Sequence, residues 1–373
     1  MVSSSLRNHR DKMLKFGYSI LKSKLLAAFN KVPMPSIIIY FITYRCNLKC
    51  YICSARTYHT DEEMNTPQVK DLFDQLKSLQ LVRITGGEPF VREDLSEIVR
   101  HIEKNVKPYL VHITTNGTLE DRILDLVKEK HSSKLFIAVS LDALEETHEE
   151  IRGKGTFQKT IHTLEQLVRF KDRYHFQLEV NQTITESGLN EADIFAKDIS
   201  DMGLKINYQL ARDFHPSIPK PTEPDAPDCE IYPPLYGNMD REKLSLLLQT
   251  ILDKRQDFST LYERMIRRYY VTGVRNRLVN GKKHPDPRCV SLYDHIRLAP
   301  DGNILICRSD LTVVGNAAKN GFRSVWYGER ANELREVVDH CKRCWHACES
   351  IPSGIYTWDV FAFHLKRIFK KHN

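Results

Sequence analysis

Residues 36–42 (Ser-Ile-Ile-Ile-Tyr-Phe-Ile) form a largely apolar, β-branched run without polar alternation. That is the pattern of a strand covered on both faces. Strand-like runs recur near 81–85, 110–114, 135–139, 176–183 and 204–210, with helix-like segments between them near 66–79, 93–105, 120–130, 157–170 and 191–201. The first helix carries a start signal, Thr66 as cap and Pro67 at the first helical position. Six strands alternating with five helices predict βα units on a parallel sheet, either an open doubly wound layer or a partial barrel.

The pattern then changes. Residues 215–237 hold seven prolines and little periodicity, and read as a linker or surface excursion. Residues 240–280 look helical, with Leu244, Leu247, Leu248 and Ile251 on one face. Residues 288–307 resemble a β-hairpin turning at Pro300-Asp301-Gly302, and a helix near 330–339 precedes a Cys-rich stretch at 341–348. The expected organisation is a basic N-terminal extension (1–35), the βα unit (36–214), the Pro-rich and helical stretch (215–285), a small Cys-bearing domain (286–350) and a basic tail (351–373).

Composition narrows the class. The chain has 373 residues, 41% of them hydrophobic, enough for a sizeable core. No run of about 18 apolar residues occurs, and no signal-peptide pattern opens the chain. Nine cysteines without an export signal point to metal ligands or catalytic groups in a reducing cytoplasm rather than to disulfides. The net charge of +7 is concentrated at the ends: residues 1–36 carry seven Lys/Arg and one Asp, and residues 351–373 carry four Lys/Arg and one Asp. The body is therefore slightly acidic, which argues against nucleic acid as a partner.

Both basic ends are amphipathic. Leu14, Tyr18, Leu21, Leu25 and Phe29 fall at helical spacing with Lys15, Lys22 and Lys24 among the other positions; Trp358, Phe361, Leu365, Ile368 and Phe369 do the same beside Lys366 and Arg367. Apolar face, aromatics and cations together describe a helix lying in a membrane interface. The alternative is that both helices cap the barrel with their cations in water.

The chemistry lies in three motifs. Cys46-Asn-Leu-Lys-Cys50-Tyr-Ile-Cys53 offers three thiolates in eight residues after the first strand. Thiolates suit zinc or an iron–sulfur cluster. A cubane needs an outer ligand on each of four irons, so three cysteines leave one iron open, as a catalytic site requires. A zinc site completed by a distant histidine such as His59 is the structural alternative. Gly86-Gly87-Glu88-Pro89 follows the second strand: paired glycines permit close approach of a ligand, and the carboxylate can accept from an ammonium group. The third motif is Cys289 and Cys307 around the predicted hairpin, followed by Cys341-Lys-Arg-Cys344-Trp-His-Ala-Cys348. Four of these five thiols suffice for one further cluster or for a structural zinc. Cys229 stands alone and reads as an ordinary thiol.

The CxxxCxxC triplet followed by GGEP resembles the radical S-adenosylmethionine superfamily. The family aromatic before the last Cys is here Ile52, with Tyr51 one position earlier. The resemblance covers about residues 36–214. It implies a partial (β/α)6 barrel of TIM type, α/β in class. It also implies a 4Fe–4S cluster on Cys46, Cys50 and Cys53 whose open iron binds the amino and carboxylate groups of S-adenosylmethionine, and a reducing electron donor such as flavodoxin or ferredoxin. Active sites of such barrels collect at the C-terminal ends of strands, where Asn116, Ser140, Arg152 and Asn181 also fall. In the terms of the family, Gly86, Gly87, Glu88 and Pro89 contact the amino group, Ser140 resembles a ribose contact, and Arg152 resembles the arginine that pairs with the carboxylate. The family chemistry is reductive cleavage to methionine and a 5′-deoxyadenosyl radical, which abstracts a hydrogen atom.

The C-terminal cysteines resemble the auxiliary-cluster domain of SPASM or twitch type, implying one auxiliary 4Fe–4S cluster on four of Cys289, Cys307, Cys341, Cys344 and Cys348. The amphipathic ends suggest a lipid or lipid precursor as substrate, with peripheral contact on the inner face of the membrane. Peptide modification is the main rival, followed by alcohol oxidation of a small metabolite. A non-catalytic metal protein is the reading outside enzymology.

Overall fold

In the computed structural model β1 (Ile37–Thr43) is buried along its whole length, as an unalternating apolar run requires. Ile38, Tyr40 and Ile42 enter one hydrophobic core and Ile37 enters a second. The structure describes residues 17–23, 25–26, 29, 31–60, 62–213, 222, 235, 237–253, 261–341 and 344–371. Leu14, Lys15, Lys24, Cys229 and nearly all of the Pro-rich stretch lie outside those residues.

After β1 come β2 (Leu81–Gly86), β3 (Leu110–Thr115), β4 (Lys134–Ser140), β5 (Gln177–Ile184) and β6 (Lys205–Leu210), each pairing in parallel with its predecessor. Crossovers are supplied by α1 (Thr66–Asp74), α2 (Leu95–Asn105), α3 (Glu120–Lys128), α4 (Glu145–Arg152), α5 (Thr156–Tyr174) and α6 (Ala192–Asp201). Sequential strand order with a helical return at every step is a partial (β/α)6 barrel. Val82, Ile84, Val111, Ile113, Leu135 and Ile137 pack into the core shared with the helices. The alternate residues of the same strands, including Arg83, His112 and Phe136, take the opposite face by the period of two.

Two local expectations change. The cap of α1 is Asn65, not Thr66: Asn65 Oδ1 accepts from the Gln68 N–H at 3.0 Å, and Gln68 Oε1 accepts from the Asn65 N–H at 2.9 Å. This reciprocal pair is a capping box, and Thr66 donates instead to Asp94 at 2.6 Å. Helix α4 was not expected, because Glu-Glu-Thr-His-Glu-Glu-Ile-Arg has no apolar period; it buries only His148 and Ile151.

The helical stretch near 240–280 contains α7 (Arg241–Asp253) and α8 (Leu261–Val279). The expected hairpin is present as β7 (His295–Leu298) and β8 (Asn303–Leu305), with β9 (Val313–Asn316) added antiparallel. It is not a detached layer. β7 pairs in parallel with β1 from Ile37↔His295 to Tyr40↔Leu298, so nine strands form one sheet. α9 (Glu329–Asp339), α10 (Ala347–Tyr356) and α11 (Asp359–Lys371) follow. Trp345 is buried against α8, its indole N–H donating to the Tyr270 carbonyl at 3.0 Å. A Cβ on Gly273 would stand 2.1 Å from that ring, so this glycine is what lets α8 seat the tryptophan beside the Cys-rich stretch.

Candidate active site

A cavity of about 500 Å³ opens at the C-terminal ends of the barrel strands. Cys46, Cys50 and Cys53 line it from the loop after β1, Gly86, Gly87 and Glu88 from the end of β2, and Asn116, Ser140, Arg152 and Asn181 from the later strands and α4. Every residue singled out for the first site is thus on one wall or another, except Pro89. Pro89 is buried and opens the 3₁₀ turn Pro89–Val91, fixing the direction in which the chain leaves Glu88.

The glycine pair lines the cavity and also has a duty that its sequence did not suggest. A Cβ on Gly86 would lie 2.2 Å from the Thr43 carbonyl oxygen, and one on Gly87 2.2 Å from that of Arg45. The Gly87 N–H donates to Thr43 and the Glu88 N–H to Arg45, at 2.8 and 2.9 Å. The glycines therefore let the strand-two loop lie directly on the backbone leading into Cys46. Gly87→Ala is expected to push the cysteine loop outward. Iron bound after reconstitution should fall to about half while the fold, followed by circular dichroism, is kept; full iron loading would show that the loop tolerates the methyl group.

Glu88 is buried, and both its oxygens accept bonds from the protein, with acceptor capacity left on Oε2. Its carboxylate accepts from Thr115 Oγ1 at 2.8 Å, the Phe90 N–H at 3.2 Å and the Asn116 N–H at 2.6 Å. Burial nevertheless pushes its carboxyl up to about 7, against those bonds and the nearby Arg152 charge. The Asn116 side chain is used as well: its amide donates to Asn47 at 2.9 Å, and its Oδ1 accepts from the Thr118 N–H at 2.9 Å and from Thr118 Oγ1 at 2.7 Å. It ties the first cysteine loop to the end of β3.

Arg152 is held by a partner the sequence did not reveal. Its Nε donates to the fully buried Asp142 carboxylate at 2.6 Å. Burial would discharge the guanidinium, but Asp142 outweighs it and holds the arginine well above its ordinary value. Asn181 accepts from Asn207 and Gln209, both at 3.0 Å. Sequence reasoning missed Arg212, Arg308 and His346, which line the same cavity from beyond β6 and from the C-terminal region. Arg308 follows Cys307 and donates to Ser54 Oγ at 2.7 Å, one residue after Cys53. Its position beside a cysteine was the signal available.

The second cysteine group gathers around a buried carboxylate. Glu349, Cys344, Cys289 and Cys341 all stand near enough to Cys307 to add to the rise that burial imposes on its thiol. Cys344 has Glu349, Cys289 and Cys341 around it in the same way. Cys348 stands beside the same carboxylate: its sulfur, a His346 ring nitrogen and a Glu349 oxygen all lie within 4.8 Å of one another, and Arg83 Nη1 lies 3.9 Å from the sulfur. Burial pushes its thiol up, but Arg83 and His346 outweigh it and bring the group down to about 6. All eight cysteines among the described residues are free thiols. A three-thiol set and a four-thiol set are soft-donor sites of the kind iron–sulfur clusters use.

Comparison with known proteins agrees with this geometry. Residues 40–178 match the family model described as the radical SAM superfamily, and residues 289–345 match that of an iron–sulfur cluster-binding domain, SPASM. The subtilosin biosynthesis protein AlbA of Bacillus subtilis is 32% identical over 50% of this chain and 41% of its own length. The mycofactocin maturase MftC of Mycolicibacterium smegmatis is 27% identical over 84% of this chain and 76% of its own. The chain thus spans about two fifths of AlbA and three quarters of MftC. The solved structure of Streptococcus suis SuiB bound to S-adenosylmethionine shares the fold, with a TM-score of 0.60 at 16% identity over 84% of this chain and 70% of that one. Such domains imply a 4Fe–4S cluster with S-adenosylmethionine and auxiliary iron–sulfur. With one family model falling on the first cysteine group and the other on the second, the chain belongs to the radical SAM superfamily and carries a C-terminal domain of the SPASM/twitch type.

Proposed function

We propose that this chain is a radical S-adenosylmethionine enzyme that modifies a peptide. The observation that carries the chemistry is the convergence of Cys46, Cys50 and Cys53 with Glu88 on one cavity. In this reading those thiolates hold the 4Fe–4S cluster that binds S-adenosylmethionine. When bound, that pair supplies one-electron cleavage of the S–C5′ bond and a radical that takes a hydrogen atom from the substrate. Glu88 accepts from the ammonium group of the methionine moiety, and Arg152, kept charged by Asp142, faces its carboxylate. Ser140 and Asn181 offer polar contacts to the ribose. Gly86, Gly87, Pro89 and Asn116 hold the cysteine loop and Glu88 in place. Cys289, Cys307, Cys341 and Cys344 hold one auxiliary cluster, with Cys348 outside the set. A flavodoxin- or ferredoxin-type protein supplies the electron.

The peptide reading rests on the relatives: MftC, a maturase, aligns over most of the chain, and AlbA serves bacteriocin biosynthesis. A lipid substrate is the second reading, favoured by exposed apolar side chains on both terminal helices. The test is deuterium transfer into 5′-deoxyadenosine, using reconstituted protein and peptide or lipid extracts from host cells grown in deuterated water. Enrichment with peptide is expected. Enrichment with lipid alone transfers the assignment to the second reading, and no 5′-deoxyadenosine from an intact first cluster removes both.

Glu88 gives a pH signature. An ammonium ligand needs the carboxylate, and burial has raised this carboxyl to about 7. Affinity for S-adenosylmethionine should therefore weaken as pH falls through that value, approaching about tenfold per pH unit on the acid side. Without ligand the sign reverses for stability. The native state holds the proton between the ordinary carboxylate value and about 7, so stability falls as pH rises through that window. Calorimetric titration across the range checks the first statement; a flat profile removes Glu88 as the ammonium acceptor.

A further inference from the structure

The N-terminal helical segment (17–23 and 25–26) carries its apolar stripe outward. Ser23 is buried and donates to the Asp294 carboxylate, and Ile20 packs against the second core. On the opposite side Tyr18, Leu21 and Leu25 are 66%, 48% and 56% exposed, with Phe29 beyond them at 73%. At the helical period, positions 18, 21 and 25 share one face while 20 and 23 share the other. A helix that only covers a core turns its apolar stripe inward. The far end of the chain repeats the feature. Trp358, Phe361 and Leu365 at α11 are 44%, 37% and 55% exposed, and Phe361 stacks on the half-exposed Tyr262 with ring centres 6.5 Å apart.

Both faces lie at one end of the barrel. Asp294 and Ser36, which immediately precede β7 and β1, hold this end together: the Ser36 N–H donates to the Asp294 carbonyl at 2.9 Å, and the Ser36 and Tyr356 hydroxyls are bonded. Ser19 and Tyr262 both stand beside Tyr356, and Tyr262 also neighbours Tyr109, just before β3. These are the N-terminal ends of the strands. The cysteine cavity occupies the C-terminal ends, about 20 Å away across the length of β1.

Charge identifies the occupant. Net charges of +6 in residues 1–36 and +3 in residues 351–373 contrast with −2 in the rest, and Lys22, Lys31 and Lys366 are exposed. We propose that this end of the molecule docks on an anionic lipid surface, with the N-terminal segment and α11 lying in the headgroup layer and the cavity facing away from the bilayer. Apolar stripes flanked by cations bind such surfaces. The docking does not rest on the peptide reading. It separates attachment from catalysis: substrate reaches the cavity from the water side while the enzyme is held at the membrane.

Flotation of the reconstituted full chain with vesicles of phosphatidylcholine alone, or mixed with phosphatidylglycerol, tests this. Binding to the mixed vesicles should be at least about tenfold tighter and released by salt. Trp326 and Trp345 are fully buried, so quenching of tryptophan fluorescence by brominated lipid reports Trp358 and is expected with the mixed vesicles. Leu21→Glu with Leu25→Glu, and separately Phe361→Glu, should each lower the bound fraction about tenfold while iron content and basal 5′-deoxyadenosine formation stay unchanged. Absence of binding to either vesicle overturns the proposal, as does binding that both variants leave intact. A two-chain mass by light scattering that the same variants reduce to one assigns the face to a second copy instead.

Discussion

Replacing Cys50 by serine should lower the iron bound after reconstitution from about eight to about four per chain. It should also cut 5′-deoxyadenosine formation at least about 10³-fold, the scale on which losing one member of a catalytic unit acts. Cys50 is the buried member of its triplet. The surrounding backbone fixes it: the Tyr51 N–H donates to the Ile151 carbonyl at 3.1 Å, and the Cys53 N–H donates to the Cys50 carbonyl at 3.2 Å. A serine there keeps the volume and the backbone bonds but offers a hard oxygen donor where iron–sulfur sites need thiolate. Cys348→Ser is the matched control. Its sulfur is neighboured by Arg83, His346 and Glu349, and with Cys289, Cys307, Cys341 and Cys344 as the proposed ligands its iron content should remain at about eight. The two variants separate the readings cleanly. Equal iron loss in both would mean that Cys348 is a cluster ligand, and full activity in Cys50→Ser would remove the first cluster from the chemistry.

How far the sequence foretold this arrangement depends on the kind of signal involved. β1 to β6 are short apolar runs between helices, and periodicity placed each of them within a residue or two of its observed bounds. The two cysteine groups were legible because spacing is local, and the cavity joins the first of them to Glu88 as the motif order implied. What escaped was non-local or polar. The pairing of β7 with β1 joins residues about 258 positions apart, and no local pattern encodes it. The bond between Asp142 and Arg152 depends on α4, a helix without an apolar period. Arg308 and His346 reach the cavity only because β7 is stitched to the barrel. The duty of Gly86 and Gly87 depended on how close Thr43 and Arg45 come, a distance that only the fold supplies.

Glu349→Ala should cost the metal-free protein about 3–5 kcal/mol in chemical denaturation. Glu349 and Arg297 are both buried and bonded at 2.9 Å, and the Arg308 N–H donates to the same carboxylate oxygen at 3.2 Å. Burial opposes the charge on Glu349, but His346 and Arg297 outweigh it and hold the carboxyl well below the usual carboxylate range. His295 also sits close, pushed down to about 4 by burial, and is neutral near pH 7, so Arg297 is the permanent counter-charge. Truncation to alanine leaves that guanidinium buried without its carboxylate. The depressed carboxyl contributes its stability above the ordinary carboxylate value and loses it as pH falls through the folded value, so the penalty should shrink in strong acid. Glu349→Gln keeps an acceptor for the Arg308 N–H and should cost less. Arg297→Met combined with Glu349→Leu should recover most of the loss, because replacing a whole buried pair by apolar groups spares the desolvation of both charges. If Glu349→Ala were within about 1 kcal/mol of the parent, the range for exposed pairs, the pair would not be the buried brace drawn here. Because Glu349 also faces Cys289, Cys307 and Cys344, the Gln variant carries a second readout. Removing a negative charge beside a four-thiolate cluster should shift its midpoint potential positive, as followed by electron paramagnetic resonance, while the cluster on Cys46, Cys50 and Cys53 stays where it was.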